Sequence, residues 1–304
     1  MSIRTRFAPS PTGELHLGGA WTALASWVLA RRDGGTAVLR IEDLDPPRVV
    51  RGSAERIMGD LRWLGLTWDE APLIQSARRD AYDAALATLR ARGLTYPCDC
   101  SRAEIARAAS APHPGEESVY PGTCRALDPR RECKRAPAIR LRVPHEAIAF
   151  DDGVTGAFEQ DIAAAGDFIV KRGDDVFAYQ LAVVVDDLAT EITDVVRGDD
   201  LLTSTPRQIY IARCLGLPHP RYWHVPIVVA SDGSRLAKRT RGAAVRALRE
   251  SGVAAEEILG ELAHGLGITS SAAPRAATEI ASLARRQPIS WRRAPWPIPA
   301  RWGA

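Results

Sequence analysis

The chain has 304 residues, 46% of them apolar and 25% charged, enough to bury a full core and to form two domains with a small insert. A net charge of +3 permits an RNA partner without demanding one. No run of eighteen apolar residues exists and no signal peptide precedes the first motif, so a membrane span is not expected; five cysteines, three of them clustered, suit a reducing cytoplasm and a metal better than disulfides.

Residues 3–7 alternate apolar and polar side chains and predict a short strand. Leu17–Arg32 repeats apolar residues at helical spacing (Leu17, Trp21, Leu24, Val28) and stops at Asp33-Gly-Gly35. Between them two prolines and Gly13 force a turn, and His16, Gly18 and Gly19 fall in the first helical turn. A strand turning tightly into a helix N-terminus aims free N–H groups and the positive end of the dipole at one spot, which suits a phosphate. Glycines there let a flat ring or a ribose lie on the helix backbone, and His16 can donate to phosphate oxygens. On spacing alone, a capping histidine with closely packed glycines reads equally well.

The whole string, Arg6-Phe-Ala-Pro-Ser-Pro-Thr-Gly-Glu-Leu-His16-Leu-Gly-Gly19, resembles the ATP signature of class I aminoacyl-tRNA synthetases in the form of the glutamyl enzymes. The match spans fourteen adjacent positions, with Gly19 where most class I enzymes carry a second histidine. The resemblance implies that Pro9, His16, Gly18 and Gly19 meet ATP, while Arg6, Ala8 and Ser10 face the amino acid.

Thr36–Ile41 predicts a second strand, followed by Glu42-Asp-Leu-Asp-Pro-Pro-Arg48. Acidic residues just past the C-terminal end of a parallel strand stand where α/β sheets bind ligands, although Pro46 and Pro47 would equally make a solvated turn. This stretch resembles a second synthetase block, which implies that Glu42 holds the amino group of the amino acid and leaves Asp45 a structural part. Residues 52–66 and 78–92 are amphipathic helices that would cover the sheet.

Tyr96-Pro-Cys98-Asp-Cys100 then leads into Ser101-Arg-Ala-Glu104, a capping box that starts a short helix. Tyr120-Pro-Gly-Thr-Cys124 and Cys133 follow beyond a loop. Spacing alone nominates Cys98, Cys100, Cys124 and Cys133 as a four-thiolate zinc knuckle, or else as free thiols in a metal-free loop. The short paralogues of the glutamyl enzymes carry Cys-x-Cys followed by Tyr-x-x-x-Cys. That resemblance implies one structural Zn2+ on Cys98, Cys100, Tyr120 and Cys124, with Cys133 left aside.

Alternating segments return at 138–143 and 168–172. Tyr179, which by itself reads as a core aromatic before an apolar helix (Leu181 to Val185), matches a tyrosine of the family's amino-acid pocket. Arg197, at the C-terminal end of a strand beginning near residue 191, matches an arginine that contacts substrate. The resemblance makes Arg6 and Arg197 the two cations for the carboxylates of glutamate. A helix over 204–215 and a last strand over 222–230 feed Ser231-Asp-Gly-Ser-Arg235-Leu-Ala-Lys238-Arg239, a basic turn standing where the family places its second ATP signature. Arg235 replaces the usual first lysine and Ala237 a serine; Lys238, which contacts phosphate in the family, is kept. The remainder is helical to about residue 286 and ends in interleaved arginine and tryptophan, able to stack on RNA or to pack as a tail on the body.

The expectation is thus an α/β chain with the Rossmann-like class I fold and a parallel sheet. Its parts would be residues 1–95 and 166–241 as two catalytic halves, 96–165 as an inserted zinc-knuckle subdomain, and 242–304 as a C-terminal helical piece without an anticodon-binding domain. Both the Asp-Leu-Asp-Pro-Pro-Arg and the cysteine blocks resemble the glutamyl-queuosine tRNA(Asp) synthetases. That resemblance implies a cytoplasmic, monomeric enzyme using ATP with Mg2+, with His16 and Lys238 catalytic, and placing L-glutamate on the queuosine base of tRNA(Asp). The rivals are a fragmentary glutamyl-tRNA synthetase charging a 3′ end, a nucleotidyltransferase acting without RNA, and an inactive tRNA- or zinc-binding module.

Overall fold

The structure, a computed structural model, describes residues 2–108, 119–234 and 244–302. β1 (Arg4–Phe7) runs through the signature loop into α1 (Leu17–Arg32), and β2 (Thr36–Ile41) returns parallel to β1. The turn between α1 and β2 needs its glycines. Gly34 has φ 70°, and a Cβ on Gly35 would lie 2.1 Å from the Ile3 carbonyl oxygen. α2 (Ser53–Trp63), β3 (Leu73–Ile74) and α3 (Arg79–Ala91) complete the first half.

β4 (Thr95–Cys98), β5 (Ala138–Leu141) and β8 (Ile169–Lys171) form a separate antiparallel sheet. α4 (Arg102–Ala108) follows β4 and opens on the expected capping box: Ser101 N donates to Glu104 Oε2 at 2.6 Å and Glu104 N to Ser101 Oγ at 3.2 Å. The hairpin β6 (Ala147–Asp152) and β7 (Gly156–Asp161) lies within the 96–165 segment, yet it joins the principal sheet as its edge. α5 (Tyr179–Ala189), β9 (Asp194–Gly198), α6 (Thr205–Leu215) and β10 (Arg221–Val225) then build the second half.

Among the described residues the principal sheet has seven strands in the order β3-β2-β1-β9-β10-β6-β7, all parallel except β7. The chain leaves β1 toward β2 on one side, and β9 returns to pair on the other. The strand order therefore reverses between β1 and β9, and such a switch point opens a crevice at the strands' C-terminal ends. Both faces of the sheet are covered, as a parallel sheet requires. Leu39, Val196 and Val225 pack with α1 and the C-terminal helices; Val38, Val195 and Tyr222 pack with α3, α5 and α6. α1 is buried on nearly every side because α8 (Ala255–Leu266) and α9 (Ala277–Arg286) cover its outer surface.

The expected strand over 222–230 is broken at Pro226, leaving β11 (Val228–Val229) outside the main sheet. α7 (Val245–Glu250) follows. The arginine–tryptophan tail packs on the body: β12 (Trp296–Pro297) pairs with β11, Trp302 is 2% exposed, and Trp291 meets Trp223 with ring centroids 6.3 Å apart. Those tryptophans are not free to stack on RNA. No described helix is long and apolar enough to cross a membrane.

Candidate active site

The signature loop lies at the switch point. His16 is the N-cap of α1 in an extended conformation and makes no side-chain capping bond, so its imidazole does not serve as the cap. The first N–H groups of α1 have no partner within the helix, as in any helix. The two glycines act differently: a Cβ on Gly18 would meet nothing within 4 Å, whereas one on Gly19 would lie 2.9 Å from Leu15 Cδ1. Gly18 leaves its backbone open, whereas a side chain at Gly19 would require Leu15 to shift. Pro9 accepts the Glu42 N–H at 3.0 Å, tying this loop to the second block.

A cavity of about 510 Å³ opens beside the loop, lined by Arg6, Ala8, Ser10, Glu42, Tyr179 and Arg197 among others. All six residues expected to hold the amino acid therefore line one space. Strand alternation explains part of this. Arg6 of β1, Arg40 of β2 and Arg197 of β9 project to the face covered by α5 and α6, where Asp187 of α5 meets the first two. Arg6 Nε donates to Asp187 Oδ1 at 3.1 Å, and Arg40 Nη1 to the same oxygen at 2.5 Å. Arg40 also donates to Glu42 Oε1 through Nε at 3.2 Å and Nη2 at 3.1 Å. Burial pushes the Glu42 carboxyl up, with Arg40 and Arg6 opposing it; burial also acts on Asp187, but there the two arginines prevail and hold it below the ordinary range.

Arg197 stands apart from this ion-pair cluster. It is 5% exposed, and its described hydrogen-bond partners are all uncharged. Nη1 donates to Gln208 Oε1 at 2.8 Å, Nη2 to Thr205 Oγ1 at 2.7 Å, and Nε to His224 Nε2 at 3.1 Å. Three guanidinium groups (Arg6, Arg40, Arg197) thus stand near two carboxylates (Glu42, Asp187) at the cavity, and a third carboxylate, Asp152, lies behind Arg197 with His224 between them. Arg48 and Asp200, both exposed, also line this cavity.

A second cavity, about 480 Å³, adjoins the first and shares Ser10, Glu42, Arg48 and Tyr179 with it; Arg102 of α4 lies on its far side. Tyr179, the first residue of α5, is 37% exposed between the two. It is not the core aromatic that its sequence context alone suggested. Asp45 pairs with Arg172 at 3.1 Å across this second cavity, a structural part. Arg235, Ala237 and Lys238 of the second signature lie outside the described residues. Its far flank is described: Ala244 bridges His16, and Val245 N donates to Leu15 O at 2.8 Å.

In the antiparallel sheet region the sulfurs of Cys98, Cys100 and Cys124 all lie within 4.8 Å of one another. Tyr120 lies beside the group, its hydroxyl 3.4 Å from Cys98 Sγ and accepting the Cys124 N–H at 2.7 Å. Sulfurs about 3.8 Å apart are what a tetrahedral ion with ~2.3 Å bonds needs. Burial and the neighbouring Cys124 push the Cys100 thiol up to about 12, a penalty that a bound cation would offset. Arg140 lies over the Tyr120 ring, 3.7 Å from its centroid; against burial, hydrogen bonds from Tyr120 and Arg140 hold the Cys98 thiol below its ordinary value, whereas burial pushes the Tyr120 hydroxyl up. Cys133 is outside the group, with its sulfur 3.6 Å from Arg131 Nη1.

Arg40, Asp187, Thr205, Gln208, His224 and Asp152 were not nominated by sequence reading. Arg40 and His224 carry one signal, a charged or polar residue inside an apolar run (Val38-Leu39-Arg40-Ile41, Tyr222-Trp223-His224-Val225); the others carry none of that kind.

Comparison with known proteins gives the family. The family model for class I tRNA synthetases (E and Q), catalytic domain, matches residues 2–284. The chain is 48% identical over 297 residues to the glutamyl-Q tRNA(Asp) synthetase of Nitratidesulfovibrio vulgaris, covering 92% of this chain and 91% of the relative. Its identity to the glutamyl-Q tRNA(Asp) synthetase of Symbiobacterium thermophilum is 46% over 304 residues, covering 93% and 94%. A glutamate tRNA ligase from Elizabethkingia meningosepticum, solved in complex with its amino acid, superposes with TM-score 0.85 at 26% identity, over 100% of this chain and 68% of that one. The chain belongs to the class I tRNA synthetase family of the E and Q enzymes, and within it to the glutamyl-Q tRNA(Asp) synthetases; it is an enzyme of the ligase type.

Proposed function

We propose that this enzyme activates L-glutamate with ATP and then transfers the glutamyl group to the queuosine base at the wobble position of tRNA(Asp). The observation that carries the substrate is Arg197: a buried cation with only neutral partners, facing Arg6 and Glu42 across one cavity. A carboxylate completes its pairing, and charge-assisted bonds in a dry site are strong. Glu42 takes the ammonium, which restores the charge that burial opposes. Tyr179 closes the pocket between the two cavities.

In the first step an oxygen of the glutamate α-carboxylate attacks the α-phosphorus of ATP. That P–O bond forms as the bond to the β-phosphate bridge breaks, and pyrophosphate leaves. His16 and the α1 N-terminus stabilise charge on the α-phosphate and Gly18 gives the nucleotide room to approach, while Lys238 would hold the pyrophosphate, whose charge Mg2+ would offset when bound. In the second step a hydroxyl of the queuosine cyclopentene ring, entering through the second cavity past Arg102, attacks the glutamyl carbonyl. The ester C–O bond forms, AMP departs with its carboxyl-derived oxygen, and the hydroxyl proton passes to solvent. Positioning supplies most of the rate, so no covalent nucleophile is required. The acceptor is assigned from relatives bearing the glutamyl-Q tRNA(Asp) synthetase name at 46–48% identity across more than nine-tenths of both chains. The same geometry fits one structural zinc on Cys98, Cys100, Tyr120 and Cys124. When bound it cross-links the loop after β4 to the Tyr120–Cys124 turn, and with four protein ligands it keeps no open position for chemistry.

Glutamate-dependent ATP–pyrophosphate exchange without tRNA tests the first step. Transfer of labelled glutamate to tRNA(Asp), with and without queuosine, tests the second. Exchange with queuosine-dependent transfer is expected. Transfer only to the 3′ end of tRNA(Glu) would reassign the acceptor, and absence of exchange would make the chain a binding module.

A further inference from the structure

Behind Arg197 lies a polar chain that touches no part of either cavity. Arg197 Nε donates to His224 Nε2 at 3.1 Å, and His224 Nδ1 lies 2.6 Å from Asp152 Oδ2. His224 is wholly buried and Asp152 is 5% exposed. The protons can be placed by elimination, because a guanidinium N–H can only donate. His224 Nε2 must therefore hold a lone pair, and the ring proton sits on Nδ1, where the Asp152 carboxylate accepts it. The Thr205 hydroxyl accepts from Arg197 Nη2 at 2.7 Å and lies 3.1 Å from His224 Nε2, a contact that either tautomer allows. Gln208 is oriented the same way, its carbonyl oxygen toward Arg197 and its amide nitrogen donating to Gln180 Oε1 at 2.9 Å.

We propose that Asp152 and His224 form a positioning relay that fixes the imidazole tautomer and thereby aims Arg197, with its charge left free, at the substrate carboxylate. This rests on the reading of Arg197 as the glutamate clamp. A carboxylate in the position of His224 would hold Arg197 equally well but would cancel its charge; a neutral imidazole locked by a distant acid holds it without neutralising it. Asp152 is itself pinned. Its Oδ1 accepts Val154 N and Thr155 N, both at 2.9 Å, and both oxygens take the His224 backbone N–H.

That pinning makes Asp152→Asn informative. Asn keeps its carbonyl oxygen on the two turn amides and turns its NH2 toward His224 Nδ1. The imidazole proton must then move to Nε2, where it confronts Arg197. The expected result is a folded variant whose glutamate KM in pyrophosphate exchange rises roughly tenfold or more, with the ATP KM unchanged. Two-bond 1H–15N correlation spectra should place the His224 proton on Nδ1 in the natural enzyme and on Nε2 in Asp152→Asn. His224→Gln supplies a carbonyl oxygen at about the reach of Nε2 and should retain the glutamate KM, while His224→Asn, which reaches only to Nδ1, should not.

Equal effects of His224→Gln and His224→Asn, or an inverted tautomer in Asp152→Asn with the glutamate KM unmoved, would overturn the relay. So would an Nε2-protonated ring in the natural enzyme. An enzyme with no glutamate-dependent exchange at all would overturn the substrate reading instead, and the tautomer spectra would still decide whether Asp152 sets the ring.

Discussion

Arg197 donates to a hydroxyl, a carboxamide and an imidazole, and none of the three can neutralise it. Arg197→Lys keeps the charge but cannot satisfy three acceptors at once, nor present a fork to a carboxylate. Disrupting a buried charge pair costs roughly 2 kcal/mol or more, so the glutamate KM in exchange should rise about 30-fold or more. An unchanged KM would remove Arg197 from the pocket. His224 adds a pH signature. Burial lowers its ring below the ordinary 6.5 despite the Asp152 hydrogen bond, and Arg197 lowers it further; Asp199 is the other charge acting on it. The folded value lies below the unfolded one, so the unfolded chain binds the proton first. Stability present above about pH 6.5 is lost as the pH falls toward the folded value, by about 1.4 kcal/mol per unit in between. Asp152, held below 3.8, adds its own loss only at more acid pH. Chemical denaturation from pH 7.5 to 4.5 should show this slope in the natural enzyme and a flatter one in His224→Gln; parallel curves would contradict it. Arg6, Glu42, Tyr179 and Arg197 were legible in the sequence because they stand in or near long signature strings. Asp187 and His224 were not, because a buried charge is explained only by its partner, and Arg40 and Asp187 are 147 positions apart.

At the scale of elements, the strand–loop–helix of the first signature was readable to within a residue. Apolar spacing and the Asp33-Gly-Gly35 stop define α1 locally. The β6–β7 hairpin was not read. Its strands are six residues each, and its place at the sheet edge depends on β10, which comes some seventy positions later. The two-residue pairing of β11 with β12 is equally non-local, since prolines in the tail forbid a helix without naming a partner. The cysteine group was partly legible. Its residue types and spacing announce a metal, but only the folded loop separates Cys133, beside Arg131, from the Cys98–Cys100–Cys124 cluster. Cys124→Ser should lose zinc by metal analysis and melt at lower temperature, as should the natural enzyme after strong chelation. Cys133→Ser should keep both metal and melting temperature. Loss of zinc in Cys133→Ser, with retention in Tyr120→Phe, would reverse the ligand assignment.

At the scale of the whole molecule, the strand order sets the division of labour. The switch between β1 and β9 puts the two arginines and the signature helix around one cavity, while the separate β4-β5-β8 sheet and α4 stand against the second. Glu42, Tyr179, Ser10 and Arg48 belong to both cavities, so their substitution would damage both steps at once. Arg102 belongs only to the second, is exposed, and sits at the start of α4. If an RNA enters there, Arg102→Ala should leave glutamate-dependent exchange within about twofold of normal and weaken transfer to tRNA. The salt dependence separates this from a general loss of fold. Each phosphate neutralised on a single-stranded loop contributes about 0.7 to the slope of log affinity against log salt. Removing one such contact should therefore flatten the slope for tRNA binding by about that amount, while the exchange rate keeps its ordinary dependence on salt. A variant that transfers normally, or one with an unchanged slope, would move the RNA away from the second cavity and leave α4 as scaffold alone.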